Sequence, residues 1–240
     1  MPVDVLAISA HADDVELTCG GTLLRLRMLG YRFGIVDLTR GEMGTRGTPE
    51  NRAREAERAA EILGAEFRTS LDFGDGGLRT TRDEELALID VIRREKPRLV
   101  LTPYPGDRHP DHRRAGELVG DAAYYAGLRK IVTEHPAHRP QQTIYFPTFH
   151  VRPPEFVVDV TPFMNRRREA VLAFESQFHN PASTDPETVL SQRNFLEMVE
   201  SRLRGFGALI GVEFGEGFVS RRPPRIDDPV NAFEGFEPGF

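Results

Sequence analysis

The sequence predicts an α/β fold with a mostly parallel sheet, and two observations lead to that prediction. Across about the first 130 residues, short apolar runs alternate with amphipathic stretches, a pattern typical of βαβ units. Polar residues cluster directly after the apolar runs, where the strands of such a sheet would end. The expected architecture is a Rossmann-like three-layer sandwich with a C-terminal extension that caps the cleft at the strand ends.

Four strands and four helices are expected to alternate in this first part. The predicted strands, each a short apolar run, are Val3–Ser9, Phe33–Leu38, Glu66–Leu71 and Leu99–Thr102. The predicted helices are Val15–Leu29, Pro49–Leu63, Thr81–Arg94 and Asp111–Ala126. Gly30 and Gly64 follow the first two helices as stop signals, Pro97 follows the third, and Pro110 suits the first turn of the fourth.

The pattern changes after about residue 137. Further strands are predicted at Thr143–Val151, Phe156–Val160 and Leu209–Phe214, and helices near Pro162–Gln177 and Pro186–Leu203. We expect one domain over residues 1–222, with a core to about residue 130 and a capping part over residues 131–222. Residues 223–240 contain prolines, acidic residues and isolated phenylalanines, and are expected to be flexible or to dock on a neighbouring subunit.

Composition and charge exclude several classes of function. The net charge of −6, with no compensating basic stretch, argues against non-specific nucleic-acid binding. The single cysteine excludes an internal disulfide framework and fits a reducing compartment. The start of the chain has no basic leader, and no apolar run reaches membrane-spanning length. We therefore expect a cytoplasmic protein without nucleic-acid or membrane partners.

Histidines and carboxylates follow two of the predicted strands at what would be one edge of the sheet. The segment after the first strand contains His11, Asp13 and Asp14, and the loop after the fourth contains His109 and His112. Other polar residues follow the second and third strands, namely Arg40 to Gly47, Asp72 and Asp75. Because ligands bind beyond the carboxyl ends of parallel strands, these residues are expected to form one site.

Two imidazoles and one carboxylate, with a second carboxylate nearby, are the donor set of a catalytic zinc site. Neighbouring side chains diverge, so one of Asp13 and Asp14 would bind the metal while the other takes a proton from the attacking water. Likewise one of His109 and His112 would bind the metal, and the other would stabilise an oxyanion or protonate a leaving amine. Asp111, which lies between them, is a candidate to orient an imidazole.

The motif His11-Ala12-Asp13-Asp14-Val15-Glu16, followed by Gly20-Gly21-Thr22, resembles the signature of the PIG-L (LmbE-like) zinc-dependent N-acetylglucosamine deacetylases. The family usually has proline at position 12, which carries no side-chain chemistry. Other segments are similar to the bacillithiol-biosynthesis branch of that family, and these are residues 37–48, 55–56, 59–64, 107–112, 174–178 and 211–216. The resemblance extends to about residue 222.

The resemblance implies a role for each residue of the predicted metal centre. It implies that His11, Asp14 and His112 bind Zn²⁺ and that Asp13 is the general base. His109 would stabilise the tetrahedral oxyanion as an imidazolium. Fe²⁺ is an alternative metal in vivo, because two histidines and one aspartate accept several divalent cations.

The resemblance also implies substrate contacts and an assembly. Arg52 and Asp75 would contact the sugar, with a helix-surface charge and a simple turn residue as the respective alternatives. Glu42 and Arg46, on the loop after the second strand, would meet an acidic aglycone, although solvated charges also accumulate on such loops. Members of the family form trimers or hexamers, so a homo-oligomer is expected.

The implied reaction is removal of the N-acetyl group from N-acetylglucosaminyl-malate. Diacetylchitobiose, free N-acetylglucosamine, a mycothiol precursor and the amide of a thiol conjugate are alternative substrates for the same site. The alternative from another class is a non-catalytic Rossmann-like domain that binds a nucleotide or regulates a partner. The absence of a Gly-x-Gly-x-x-Gly fingerprint before a helix counts against that alternative.

Overall fold

Seven strands form one sheet in the computed structural model, which describes residues 2–148 and 153–233. In chain order they are β1 (Val5–Ser9), β2 (Phe33–Asp37), β3 (Arg68–Ser70), β4 (Leu99–Pro103), β5 (Gln142–Phe146), β6 (Phe156–Asp159) and β7 (Gly215–Ser220). Their order across the sheet is β3-β2-β1-β4-β5-β7-β6. The first five are parallel, whereas β7 runs antiparallel to both β5 and β6.

Seven α-helices flank the sheet within the described residues. They are α1 (Asp14–Thr18), α2 (Gly20–Met28), α3 (Pro49–Leu63), α4 (Arg82–Glu95), α5 (Pro110–Tyr125), α6 (Met164–Leu172) and α7 (Phe195–Ala208). Short 3₁₀ helices lie at Thr161–Phe163 and Asn231–Phe233. None of the described helices is long and apolar enough to cross a membrane.

The alternating side chains of β1 divide the core between two layers of helices. Leu6 and Ile8 pack in a cluster with residues of α4 and α5. Val5 and Ala7 pack in a second cluster with residues of α2, α3 and α6. Both faces of the sheet are therefore covered, as expected for parallel strands such as β1 and β2 that are buried along their whole length. This arrangement confirms the predicted three-layer α/β class with a mostly parallel sheet.

The strand order places a crevice between β1 and β4. Moving outward from that pair, the chain proceeds through β2 and β3 on one side and through β5 on the other. The direction in which the chain adds strands thus reverses between β1 and β4. In an open parallel sheet this reversal separates the loops that follow the two central strands, and ligands bind there. The loops at this point are those that contain the histidine and aspartate motifs.

The first predicted helix, Val15–Leu29, is two helices in the structure. Helix α1 ends at Thr18, and α2 starts at Gly20, because Cys19 leaves the helical conformation with φ −137° and ψ 10°. Gly21 sits where an added Cβ would lie 2.7 Å from Cβ of Val160. Glycine at position 21 therefore lets α2 approach the C-terminal part of the chain more closely than any larger residue allows.

Two C-terminal elements differ from the sequence prediction. Helix α7 begins at Phe195 rather than Pro186, since the side chains of Thr188 and Ser191 bond to each other's backbone amides instead of allowing a helical turn. The strand predicted at Leu209–Phe214 is wrong, and the true strand is β7.

Glycine explains why β7 was not predicted. An added Cβ at Gly215 would lie 2.5 Å from Val157, and one at Gly217 would lie 2.9 Å from Pro154, so both strand positions require glycine for close packing. Residues 149–151 of the predicted strand Thr143–Val151, and residues 234–240 of the predicted tail, lie outside the described residues.

Candidate active site

The crevice between β1 and β4 brings the two histidine motifs together. His11 and Asp13 lie in the turn after β1, and Asp14 is the first residue of α1. His109 is the N-cap of α5, and His112 lies in the first turn of that helix. Parallel neighbouring strands thus deliver, from positions about a hundred residues apart in the sequence, one cluster of imidazoles and carboxylates.

Three side chains converge with the spacing of metal ligands. His112 Nε2 lies 3.1 Å from Asp14 Oδ1 and 3.3 Å from His11 Nδ1, and His11 Nδ1 lies 3.6 Å from Asp14 Oδ2. One ligand atom from each of the three residues falls within 4.8 Å of the others. Two imidazole nitrogens and one carboxylate oxygen fit a divalent cation such as Zn²⁺ and leave a coordination position open.

Carboxylates hold the outer nitrogens of both imidazoles. His11 Nε2 lies 3.1 Å from Asp75 Oδ1 and 3.6 Å from Asp111 Oδ2, while His112 Nδ1 lies 3.5 Å from Asp107 Oδ1. Such a partner fixes which nitrogen of the ring faces the metal and makes that nitrogen a better ligand. Asp111 therefore lies where an orienting carboxylate was predicted, and the imidazole beside it is that of His11.

Asp107 is a residue that the sequence reasoning missed. Its carboxylate faces His112 and also accepts the backbone N–H of His109 at 2.9 Å, so it contacts both histidines of the loop. The signal was available, because a metal-binding histidine needs a partner for its second nitrogen and Asp107 is a carboxylate in the same loop.

Neighbouring charges determine the protonation of this cluster. Burial lowers the pKa of His112, but the carboxylates of Asp14 and Asp107 outweigh burial and raise it to about 9. Burial likewise opposes a charged His11, yet hydrogen bonds to Asp111, Asp14 and Asp75 hold its pKa well above the usual value. The site therefore attracts positive charge, which a bound cation would supply in place of the protons.

Asp13 lies beside a buried arginine. Its Oδ2 is 3.4 Å from Arg52 Nη2, and both side chains are almost fully buried. Burial raises the pKa of Asp13, whereas the Arg52 guanidinium opposes that change. Arg52 also points Nη2 at the carbonyl oxygen of Ala12, 3.4 Å away, and its Nε has no hydrogen-bond partner among the described residues. Adjacent aspartates thus have different neighbours, as the diverging side chains predicted.

His109 stacks on His112 with ring centroids 4.6 Å apart. Its Nδ1 accepts the backbone N–H of Asp111 at 3.2 Å, so the ring proton is left to Nε2. Burial lowers the pKa of His109, and the positive charges of His112 and His11 lower it further. The geometry therefore favours a neutral imidazole that donates from Nε2, rather than the imidazolium that the resemblance implies.

The other residues predicted to contact the substrate lie either in the cluster or at the far end of the loop after β2. Asp75 lies in the cluster, and its Oδ2 accepts the backbone N–H of Met43 at 3.0 Å. Glu42 accepts the backbone N–H of Asp75 at 2.7 Å, so its carboxylate supports Asp75. Arg46 lies at the far end of the same loop, where it is buried.

Comparison with known proteins places this geometry in a family. Residues 6–123 match the PIG-L family, described as GlcNAc-PI de-N-acetylase. The diacetylchitobiose deacetylase of Thermococcus kodakarensis is 34% identical over 89% of this chain and 81% of that protein. The 4-oxalmesaconate hydratase of Pseudomonas putida is 30% identical over 72% of this chain and 74% of that protein.

A solved structure extends the similarity over nearly the whole fold. A conserved protein of Thermus thermophilus superposes with a TM-score of 0.85 at 40% identity, covering 93% of this chain and 97% of that one. The family expected from the motifs is thereby confirmed. The chain, with its two histidine–aspartate motifs at the β1–β4 crevice, belongs to the PIG-L (GlcNAc-PI de-N-acetylase) family.

Proposed function

We propose that this N-deacetylase, a hydrolase of amide bonds, removes the acetyl group of N-acetylglucosaminyl-malate in bacillithiol biosynthesis with a divalent metal, Zn²⁺, as cofactor. The observation that carries the proposal is the convergence of His11, Asp14 and His112 next to a fourth group, Asp13, that is not needed as a ligand. The resemblance of residues 37–48 and 107–112 to the bacillithiol branch supports the choice of substrate.

His11, Asp14 and His112 would hold the metal. When bound there, Zn²⁺ would supply Lewis acidity, which lowers the pKa of a coordinated water to about 7 and polarises a carbonyl group. The surrounding carboxylates, Asp75, Asp107 and Asp111, would keep both imidazoles in the tautomer that faces the metal.

Asp13 would accept the proton of water as the water oxygen attacks the acetamide carbon. Burial raises the pKa of Asp13, which makes this carboxylate a stronger base than an exposed one. His109 would donate a hydrogen bond from Nε2 to the oxygen that becomes negative in the tetrahedral intermediate. The carbon–nitrogen bond then breaks, the proton held by Asp13 passes to the nitrogen, and acetate and a free amine leave.

Arg52 and Asp75 would bind the sugar hydroxyls at the mouth of the site. Arg52 has an unused donor at Nε, and Asp75 keeps acceptor capacity at the edge of the cluster, where its side chain is 10% exposed. Both residues contact groups of the reaction centre, Asp13 and His11 respectively, so a sugar held by them would present its acetamide to the metal.

Release of acetate from a panel of acetamido sugars tests the proposal. The panel consists of N-acetylglucosaminyl-malate, diacetylchitobiose, free N-acetylglucosamine and the N-acetylglucosaminyl-inositol precursor of mycothiol. We expect the malate conjugate to have the highest kcat/KM, by at least about tenfold. Equal turnover of diacetylchitobiose would contradict the choice of substrate, and absence of acetate with every compound would contradict deacetylation itself.

Acetate is the product to measure because of the hydratase relative. That protein shares 30% identity with this chain, and its name describes addition of water rather than cleavage of an amide. Stoichiometric acetate and amine distinguish hydrolysis from hydration.

A further inference from the structure

Arg46 is a buried arginine whose guanidinium has no hydrogen-bonding partner among the described residues. Its side chain is only 5% exposed, and Nε is buried without an acceptor in that part of the chain. Its one ion-pair contact there is Asp185, whose Oδ2 lies 4.0 Å from Nε, too far for a hydrogen bond. Arginine cannot lose its charge in a protein, so a buried Nε–H without an acceptor is unfavourable unless an anion comes within hydrogen-bond distance of it.

The loop that carries Arg46 is part of the wall of the active site. Its Glu42 and Met43 bond to Asp75, and the carbonyl oxygen of Gly41 faces Arg52 Nη1 at 3.5 Å. Asp75 and Arg52 in turn contact His11 and Asp13. The loop that carries Arg46 is therefore joined to the reaction centre through Asp75 and Arg52.

The segment over residues 176–185 covers this part of the loop. Gln177 donates to the carbonyl oxygen of Arg46 at 2.8 Å, and Ser176 bonds to Glu55 of α3. These contacts fix the near end of the segment, whereas Asp185 at its far end is 55% exposed and lies 4.0 Å from Arg46. Within the described part of the chain, its carboxylate accepts a hydrogen bond only from Ser183 of the same segment, at 3.1 Å. The Asp185 carboxylate is thus positioned to be displaced without disturbing the buried contacts.

We propose that Arg46 binds a carboxylate on the aglycone of the substrate, and that Asp185 occupies this position until the substrate displaces it. The inference rests on the proposed deacetylation and names the residue pair that selects an anionic conjugate over a neutral one. A charge-assisted hydrogen bond in a buried position gives this selectivity because a neutral aglycone would leave the guanidinium unpaired.

The test compares kcat/KM for N-acetylglucosaminyl-malate with that for neutral diacetylchitobiose. In Arg46→Gln we expect the ratio of the two values to fall about tenfold to a hundredfold, the size of a lost charge-assisted hydrogen bond. Arg58→Gln is the control, because Arg58 pairs with Glu175 at the surface, close to the segment that covers Arg46. Its ratio is expected to stay within about twofold of the wild-type ratio.

Asp185→Asn provides a second variant at an exposed position. Removing the competing carboxylate is expected to raise the ratio by roughly twofold to fivefold. Should Arg46→Gln not fold, an unchanged ratio in Asp185→Asn overturns the inference by itself. An equal loss on both substrates in Arg46→Gln also overturns it, since that result describes a structural role.

Binding separates failure of this inference from failure of the proposed reaction. The Kd of the malate conjugate is measured for Asp13→Asn protein with and without Arg46→Gln. We expect the second substitution to raise Kd about tenfold or more even if no acetate is ever released. An unchanged Kd contradicts the role of Arg46 and leaves deacetylation to be decided by the acetate assay.

Discussion

The two halves of the sheet contribute different things to the active site. The half formed by β1 to β4 supplies His11, Asp14 and His112, together with Asp13 and His109. The half formed by β5 to β7 and the last two helices contributes none of these side chains. It contributes buried charges that contact the helix carrying Asp14. The residues proposed for catalysis and the buried charges that contact their helix therefore come from separate parts of the chain.

The supporting charges meet where α1 passes into α2. Glu216 of β7 accepts the backbone N–H groups of Gly21 and Thr22 at 2.9 and 2.7 Å, and it pairs with Arg167 of α6. Arg167 and Arg202 both donate to the carbonyl oxygen of Leu17, three residues after Asp14. The C-terminal half thus caps both helix ends, and the break at Cys19 is where it does so.

Replacing Asp13, which lies in the half formed by β1 to β4, is expected to have the largest effect on activity. In Asp13→Asn the carboxylate base is lost while the shape of the side chain is kept, so kcat should fall about a hundredfold to ten-thousandfold. Steady-state acetate release measures the change. A loss of less than about tenfold would assign the proton transfer to another group.

Glu216→Gln tests whether the buried charges of the C-terminal half stabilise the α1–α2 junction. The buried arginines Arg167 and Arg202 would lose their carboxylate, and the free energy of unfolding should fall by about 3–5 kcal/mol. Glu213→Gln is the matched control, because its pair with Arg204 lies at the surface and contributes less than about 1 kcal/mol. Urea unfolding compares the two variants, and equal destabilisation would show that Glu216 does not support the α1–α2 junction.

Asp107→Asn tests whether the Asp107 carboxylate orients the imidazole of His112. An amide at this position removes the charge that orients the imidazole, so the affinity for Zn²⁺ should fall about tenfold to a hundredfold. Competition with a chromogenic chelator measures that affinity. An unchanged Zn²⁺ affinity would show that the Asp107 carboxylate is not needed to orient His112.

The smallest expected effect lies away from the site, at Asp90 on α4. Burial raises the pKa of Asp90, but hydrogen bonds from the side chain and backbone of His135 outweigh burial and lower it. A depressed folded-state pKa stabilises the fold above the unfolded value of about 3.9, and this contribution disappears as pH falls through the folded-state pKa.

Asp90→Asn should therefore destabilise the protein at pH 6 by less than about 1 kcal/mol, with the difference shrinking below about pH 4. Urea midpoints across this pH range measure it, with Asp121→Asn as an exposed control that has no ion pair among the described residues. A difference that grows as pH falls would contradict the sign of the pKa change.

The sequence could predict the first half of the molecule and its cluster of histidines and aspartates for a physical reason. Parallel strands end at one edge, so polar residues after β1 and β4 had to meet there. The residue pattern alone left His109 and His112 as alternatives, because both lie in one loop at the start of a helix, and only the family resemblance assigned the metal to His112. The structure separates them, since His109 turns Nδ1 to its own helix while His112 faces Asp14.

The C-terminal half was harder to predict because its elements depend on long-range packing. Gly215 and Gly217 weaken any strand pattern, yet they are required where β7 packs against Val157 and Pro154. The break at Cys19 has the same origin, since Glu216 caps α2 from almost two hundred residues away. The contact between Arg46 and Asp185 could not be predicted either, because the sequence does not show that the side chain of Arg46 is buried.

Metal content measured in three proteins tests the central claim most directly. Wild type, Asp13→Asn and Asp14→Asn are purified alike, dialysed against trace Zn²⁺ and analysed for bound metal per chain. With Asp14 as the proposed ligand and Asp13 as the proposed base, we predict about one Zn²⁺ in wild type and in Asp13→Asn, and close to none in Asp14→Asn. Full occupancy in Asp14→Asn, or loss of the metal in Asp13→Asn, would contradict the division of roles between the two aspartates.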